Sequence, residues 1–151
     1  MGGSWLFGIV ALFIVLFSGF MAYSISYTKA FNTKNQIINF IERNEGFSCS
    51  TKSVTNSTTQ DNEKSTEGKI YNYIKQVGYN TESVNCNKEE QGNEMKGSGY
   101  CLKKQDNGGK ANYKVTTFIK LTIPVVNIQI RIPISGETKA LYYDSGKDKC
   151  Y

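Results

Sequence analysis

Residues 20–46, FMAYSISYTKAFNTKNQIINFIERNEG, decide the fold because they join two regions of different solvent preference. Before Lys29 the sequence has no Asp, Glu, Lys or Arg, and all 18 basic and 13 acidic residues lie from there on. No Pro or Gly interrupts residues 20–45, and Gly46 is placed to cap a helix in a left-handed conformation. Apolar residues recur through the junction at helical spacing, at Tyr27, Ala30, Phe31, Ile37, Ile38 and Ile41. The pattern predicts one continuous helix from about Trp5 to Glu45.

The first half of this helix has the length and composition of a membrane span. The run WLFGIVALFIVLFSGFMAY, residues 5–23, would rise about 28 Å as a helix, which matches a hydrocarbon core. A cleaved signal peptide is the alternative, but it needs a basic segment, a shorter apolar run and a small-residue cleavage site. Trp5 and Tyr23 flank the run, where aromatic rings favour the interface. We expect the transmembrane and assembly helix to use Trp5, Leu6, Gly8, Ala11, Leu12, Ser18, Gly19, Ala22 and Tyr23.

All four cysteines, Cys49, Cys86, Cys101 and Cys150, lie in the polar part of the chain. An even number of cysteines in a short exported domain indicates two disulfides, for which three connectivities exist. We favour Cys86–Cys101, which closes a local loop, together with Cys49–Cys150, which would tie the helix end to the C-terminus. Zinc binding is the alternative, but the sequence has no His and no Cys-x-x-Cys.

The disulfides predict a single-pass protein whose polar domain lies outside the cell. The basic residues Lys29, Lys34 and Arg43 follow the span, and by the positive-inside rule they favour the opposite orientation. We give the cysteines more weight, because a dedicated export route can override a weak charge bias. Abundant Asn, Lys, Ile and Tyr suggest an AT-rich genome, such as that of a low-GC Gram-positive bacterium.

The remaining chain alternates between loop, helix and strand patterns. Residues 50–66 are polar and predict a loop, and the helical spacing of apolar residues within 65–78 predicts a short helix. Ser65 or Thr66 could cap its start and Gly78 its end. After a polar segment at 85–99, four stretches rich in β-branched and aromatic residues predict strands: YCLKKQ, NYKVTTFIKLTIP, VNIQIRIPIS and ETKALYY.

The strands predict an antiparallel sheet of three or four strands that meanders to the C-terminus. Residues 106–109, DNGG, are a strong turn signal between the first two strands. Pro133 within a strand predicts an edge or a bulge.

The fold class is therefore α+β: a long N-terminal helix, half transmembrane and half amphipathic, packed on a small disulfide-bonded sheet. The division expected is 1–46 for the helix and 47–151 for an extracellular globular domain. The helix-to-sheet contact is expected to use Tyr27, Phe31, Ile37, Ile38, Ile41, Ile128, Ile130 and Ile132.

The sequence offers no catalytic machinery and predicts a protein that is not an enzyme. Without His, catalysis by Ser–His–Asp or Cys–His groups is excluded, as is most zinc catalysis. It has neither a GxxxxGK[ST] nor a GxGxxG motif. The net charge of +5 is dispersed, which argues against nucleic-acid binding. We expect no cofactor and no metal.

The order of these parts resembles type IV pilins and pseudopilins, in particular the TadE-like proteins of Tad-type pilus systems. The likeness rests on FGIVALFIVLFSGFMAYSISYTKAFNTKNQIINFIERNEG and, more loosely, on TIPVVNIQIRIPISGETKALY. It implies a non-catalytic subunit of a surface filament or pilus/secretion assembly. The apolar helix half would hold the subunit in the membrane and then pack into the filament core against like or related subunits.

The chain also departs from the type IV pattern, and other interpretations of its function stay open. It lacks a basic leader, and it has no Glu at the fifth position after a cut at Gly2 or Gly3, which favours an unprocessed or minor TadE-like subunit. The alternative is a monomeric, membrane-tethered extracellular binding or sensor domain. A small membrane-bound enzyme is a third and less favoured reading.

Overall fold

The protein is described by a computed structural model that covers residues 3–48, 65–79, 84, 86, 99–123 and 128–142. The described elements are helices α1 (Gly3–Arg43) and α2 (Thr66–Val77) and strands β1 (Tyr100–Asp106), β2 (Lys110–Ile123), β3 (Ile128–Glu137) and β4 (Leu141–Tyr142). They form an α+β head on one long helix, as the sequence predicts.

Helix α1 runs unbroken for 41 residues, because no Pro or Gly falls after Gly19 to interrupt its hydrogen-bond ladder. The left-handed residue that ends the helix comes one position earlier than expected. Glu45, rather than Gly46, takes the left-handed conformation, with φ 53°. The amide of Glu45 donates to Glu42 O and that of Gly46 to Ile41 O, which is the Schellman arrangement. Gly46 follows at φ 147°, which only glycine adopts readily.

Helix α2 has both of the predicted caps. The Ser65 hydroxyl accepts from the Gly68 amide, and Gly78 is left-handed at φ 65° and ψ 35°. The start of α2 is bound to the exit of α1, because the Thr66 amide donates to the Ser48 hydroxyl at 3.0 Å. The Thr66 hydroxyl in turn donates to Gly46 O at 3.3 Å. The two helices therefore meet at the side of the head where α1 ends.

The sheet has the order β1-β2-β3, and all of these pairs are antiparallel. The turn predicted at 106–109 is present, with Gly108 at φ 61° and Gly109 at φ 92°. Among the described strands β3 pairs only with β2, so Pro133 lies on an edge strand as expected.

The fourth strand corrects the predicted meander. β4 pairs with β2 rather than β3, through Lys110↔Tyr142 and Ala111↔Leu141. It continues the line of β3 after a break at Thr138. The Thr138 hydroxyl accepts from the Tyr113 amide at 2.9 Å, and the Thr138 amide donates to Tyr113 O. The hydroxyl takes the place of a ladder carbonyl, and the chain continues along the same edge of β2.

The core lies between α1, α2 and the face of β2 that carries Val115 and Ile119. It also holds Ala30, Ile37 and Ile41 of α1, Ile70 and Ile74 of α2, Phe47, Tyr79, Tyr100, Leu102, Ala111 and Tyr113. The hydroxyl of Thr117, on this same face of β2, donates to Ala30 O at 3.0 Å and so fixes the helix over the middle of the strand.

Candidate membrane and assembly surface

The N-terminal half of α1 is long and apolar enough to cross a membrane. Every residue from Gly3 to Tyr23 is exposed in the single chain, and Trp5 keeps 79 % of its surface. A soluble core helix would bury such side chains. In the described structure the head covers α1 only beyond Tyr23. An apolar helix this exposed needs lipid or other protein around it.

The small residues of this span share one side of the helix. At about 100° per residue, Gly8, Ala11, Ser18, Gly19 and Ala22 fall within roughly 100° of arc. A Cβ added at Gly8 or at Gly19 would meet no atom within 4 Å in the described part of the chain. These positions are therefore open to a neighbouring helix at close range, which is how small residues act in membrane helix packing.

Three hydroxyl groups in and just beyond the span donate to carbonyl groups of the helix itself. Ser18 donates to Val15 O at 3.0 Å, Ser24 to Phe20 O at 3.0 Å and Thr28 to Ser24 O at 2.8 Å. Polar groups in lipid need such internal partners.

A row of aromatic rings continues from the span into the head. The ring centroids of Tyr23 and Tyr27 lie 6.2 Å apart, and those of Tyr27 and Phe31 lie 6.0 Å apart. The Lys34 ammonium lies 4.4 Å from the Phe31 centroid, within cation–π distance. The row occupies the flank of α1, not its buried face.

This position corrects part of the predicted helix-to-sheet contact. Ile37 and Ile41 are fully buried and Ile38 packs against the core, but Tyr27 and Phe31 stay 43 % and 38 % exposed. The buried face consists instead of Ala30, Thr33, Lys34, Ile37 and Ile41. Because Thr33 and Lys34 are polar, apolar spacing alone does not reveal the whole of this face.

The isoleucines of β3 also differ from the prediction. In the register Ile132 lies opposite Ile119, so Ile132, and Ile130 two residues before it, are on the face that carries α1. Ile130 and Ile132 nevertheless remain 43 % and 37 % exposed. The reason is that α1 packs more extensively on β2 than on β3. The side chain of Ile128 lies outside the described residues.

Farther along β3 the helix and the sheet come close together. A Cβ at Gly136 would stand 3.0 Å from Ile38 Cδ1 and from Lys34 Cδ. Gly136 thus allows α1 to approach this edge of the sheet, and Ile134 packs against the core beside it.

The disulfide predicted between Cys86 and Cys101 is present, with a Cα–Cα distance of 5.8 Å. It joins the segment after α2 to the start of β1. The second predicted pair, Cys49–Cys150, falls outside the described residues.

Tyr79 is an interior polar anchor that the sequence reading missed. Its hydroxyl lies 3.0 Å from both Gly99 O and Phe118 O and accepts from the Phe118 amide at 2.7 Å. Burial raises the pKa of Tyr79, and the Phe118 amide offsets part of that rise. An aromatic residue directly after the Gly78 cap was the available signal, since the Schellman turn places the next residue against the helix.

Within the described ranges, no group of three or more His, Cys, Asp or Glu residues is placed to hold a metal ion. The features of the described structure that bear on assembly are the exposed span, its row of small residues and the aromatic row. No protein-family model, curated protein or solved structure gives a significant match to this chain.

Proposed function

We propose that the chain is a non-catalytic, pilin-like (TadE-like) subunit of a bacterial surface filament or pilus/secretion assembly. One observation carries the proposal. A single unbroken helix of 41 residues has its second half built into a folded head, while its first half is exposed and apolar throughout. A simple anchor could be joined to a head by any linker, whereas here the span and the head share one rigid axis.

The row of small residues gives this rod a side for assembly. Because the helix is continuous, the angle between that row and the head is fixed, and identical subunits could stack their spans with their heads in a regular arrangement. The partners are then like or related subunits and the machinery that assembles them. Before it enters the filament, the subunit would lie in the cell membrane of a bacterium with its head outside. The amino-acid composition favours a Gram-positive bacterium.

The mutational test uses the open space at Gly8 and Gly19. A Cβ at either position meets nothing within 4 Å in the described chain, and Leu keeps the span apolar, so we expect an effect on assembly to come from neighbouring molecules. Ile14→Leu, outside the row, is the matched control. We expect sheared surface filaments to disappear for the double variant and for Ala11→Arg, and to persist for the control.

The outcome also separates the proposal from a monomeric tethered binding or sensor domain. For a monomer, replacing residues 1–23 with an unrelated apolar span should leave function intact, and filaments would be absent from the wild type as well. Filaments that persist unchanged in Gly8→Leu/Gly19→Leu and in Ala11→Arg would rule out α1 as the filament core.

A further inference from the structure

The hairpin formed by β2 and β3 runs beside α1 toward the apolar span, and three contacts fix its alignment. The Thr117 hydroxyl bonds Ala30 O, and Thr117 pairs with Ile134 in the sheet. Gly136 lies against Lys34 and Ile38. The Lys139 amide donates to the Glu42 carboxylate at 2.9 Å. As the chain advances along β3, its helix neighbours advance toward the C-terminal end of α1.

The distances between these contacts, measured along β3 and along α1, show that the two elements are nearly parallel. From Ile134 to Lys139 an extended chain advances about 17 Å, at roughly 3.4 Å per residue. From Ala30 to Glu42 the helix advances about 18 Å, at about 1.5 Å per residue. Because the distances agree, a position on the hairpin can be assigned a level on the helix.

The same scale places the start of β3 at the membrane end of the helix. Ile132 lies about 7 Å before Ile134, which is the level of about Ser26. Ile130 lies about 14 Å before Ile134, which is the level of about Met21, inside the apolar run that ends at Tyr23.

A small cavity of about 170 Å³, lined by residues of both α1 and β2, supports this alignment independently. It is lined by Ser26 and Lys29 of α1 together with Phe118 and Lys120 of β2, besides Gly78 and Tyr79. On the scale above, Lys120 would stand at the level of about residue 23 and Phe118 at about residue 28. The neighbours observed around the cavity agree with these levels to within about one helical turn.

The composition of the hairpin changes at the same level. Lys120 and Arg131 stand opposite each other in the register. The sequence between them, LTIPVVNIQI (121–130), has no Asp, Glu, Lys or Arg. The described apolar side chains nearest this end, Ile130 and Ile132, are exposed and lie on the face that carries α1. Two basic residues followed by an uncharged stretch of sequence are the pattern of a segment that meets an interface.

We propose that Ile130 and Ile132 of the β2–β3 hairpin rest in the same lipid surface that α1 crosses, with Ile130 in the acyl region and Ile132 near the headgroups. The inference depends on the proposal that α1 spans a membrane, and it adds a second membrane contact. Lipid is the occupant to which we commit, because the level of Ile130 coincides with the apolar run of the helix on the same side of the head. Two contacts would hold the head at one tilt and one rotation before assembly.

Quenching of tryptophan fluorescence by brominated lipid tests this contact directly. The full chain is reconstituted in phosphatidylcholine vesicles whose acyl chains carry bromine. Trp5 is the sole tryptophan, so Trp5→Phe/Ile130→Trp reports on the hairpin alone. Trp5→Phe/Tyr142→Trp is the control, because Tyr142 is 79 % exposed and lies at the opposite end of the head. Trp5→Phe/Ile132→Trp serves as a second reporter should the first variant not fold.

We expect the tryptophan at 130 to lose most of its emission in brominated vesicles, the one at 132 to lose less, and the one at 142 to be unaffected. Wild-type Trp5 reports on the span in the same vesicles. Quenching of Trp5 without quenching at 130 and 132 would overturn the hairpin contact and leave the anchor intact. Failure of Trp5 to be quenched would overturn the anchor and the hairpin contact together. Blue-shifted but unquenched emission at 130 would show that a second copy of the chain covers the site, which also contradicts lipid contact.

Discussion

Replacing Thr33 with Val should make the head more stable, although Thr33 is fully buried at the helix–sheet contact. The Thr33 hydroxyl has no hydrogen-bond partner within the described residues. In the same helix, Ser24 and Thr28 donate to the carbonyl four residues earlier. A buried hydroxyl without a partner costs about 1–3 kcal/mol, and Val fills nearly the same volume. Val and Thr have similar helix propensities, so the backbone contributes little to the difference.

The expected gain for Thr33→Val is about 1–2 kcal/mol, or a rise of roughly 5 °C in the thermal midpoint. Thr117→Val is the matched control, since Thr117 is equally buried but its hydroxyl bonds Ala30 O. That change should cost about 1 kcal/mol. Unfolding of the full chain in detergent micelles can be followed by near-ultraviolet circular dichroism of the buried Tyr79 and Tyr113.

The two variants carry the same chemical change, so the sign of the change in stability shows whether the replaced hydroxyl had a hydrogen-bond partner. Opposite signs support the account of this interface. If Thr33→Val lowers the midpoint as much as Thr117→Val does, the Thr33 hydroxyl has a partner and the reasoning is refuted.

Two further predictions concern the disulfide and Tyr79. Cys86→Ala/Cys101→Ala should lower the free energy of unfolding by about 3 kcal/mol, because the bond closes a loop with a sequence separation of 15; an unchanged urea midpoint would contradict this. The pKa of Tyr79 is raised above 10.0 in the folded head, so its contribution to stability is complete below pH 10 and is lost as the pH rises through the raised value. The difference in unfolding free energy between wild type and Tyr79→Phe should therefore be constant below about pH 9 and shrink above pH 10; a constant difference at all pH values would exclude this linkage.

The elements could be predicted because each has a local signal. The continuous apolar spacing and the absence of Pro and Gly from residues 20–45 define α1. Ser65 and Gly78 mark the two ends of α2, and the DNGG turn fixes the β1–β2 hairpin. Pro133 correctly marks an edge strand.

What could not be predicted depends on tertiary placement. The alternation of isoleucines gives their shared face, but only the position of α1 over β2 leaves Ile130 and Ile132 exposed. Thr138 redirects the chain through a side-chain hydrogen bond that no sequence period signals. The role of Tyr79 likewise depends on Gly99 and Phe118, which are distant in sequence.

The proposed assembly requires that α1 be one rod whose two halves keep a fixed angle. Inserting one alanine between Tyr23 and Ser24 keeps the span apolar but rotates the small-residue row by about 100° relative to the head. Ser24→Ala, without the insertion, is the control. We expect the insertion variant still to reach the membrane but no longer to form sheared filaments, while the control forms them normally. Filaments equal to wild type in the insertion variant would contradict the account, since a plain anchor tolerates rotation.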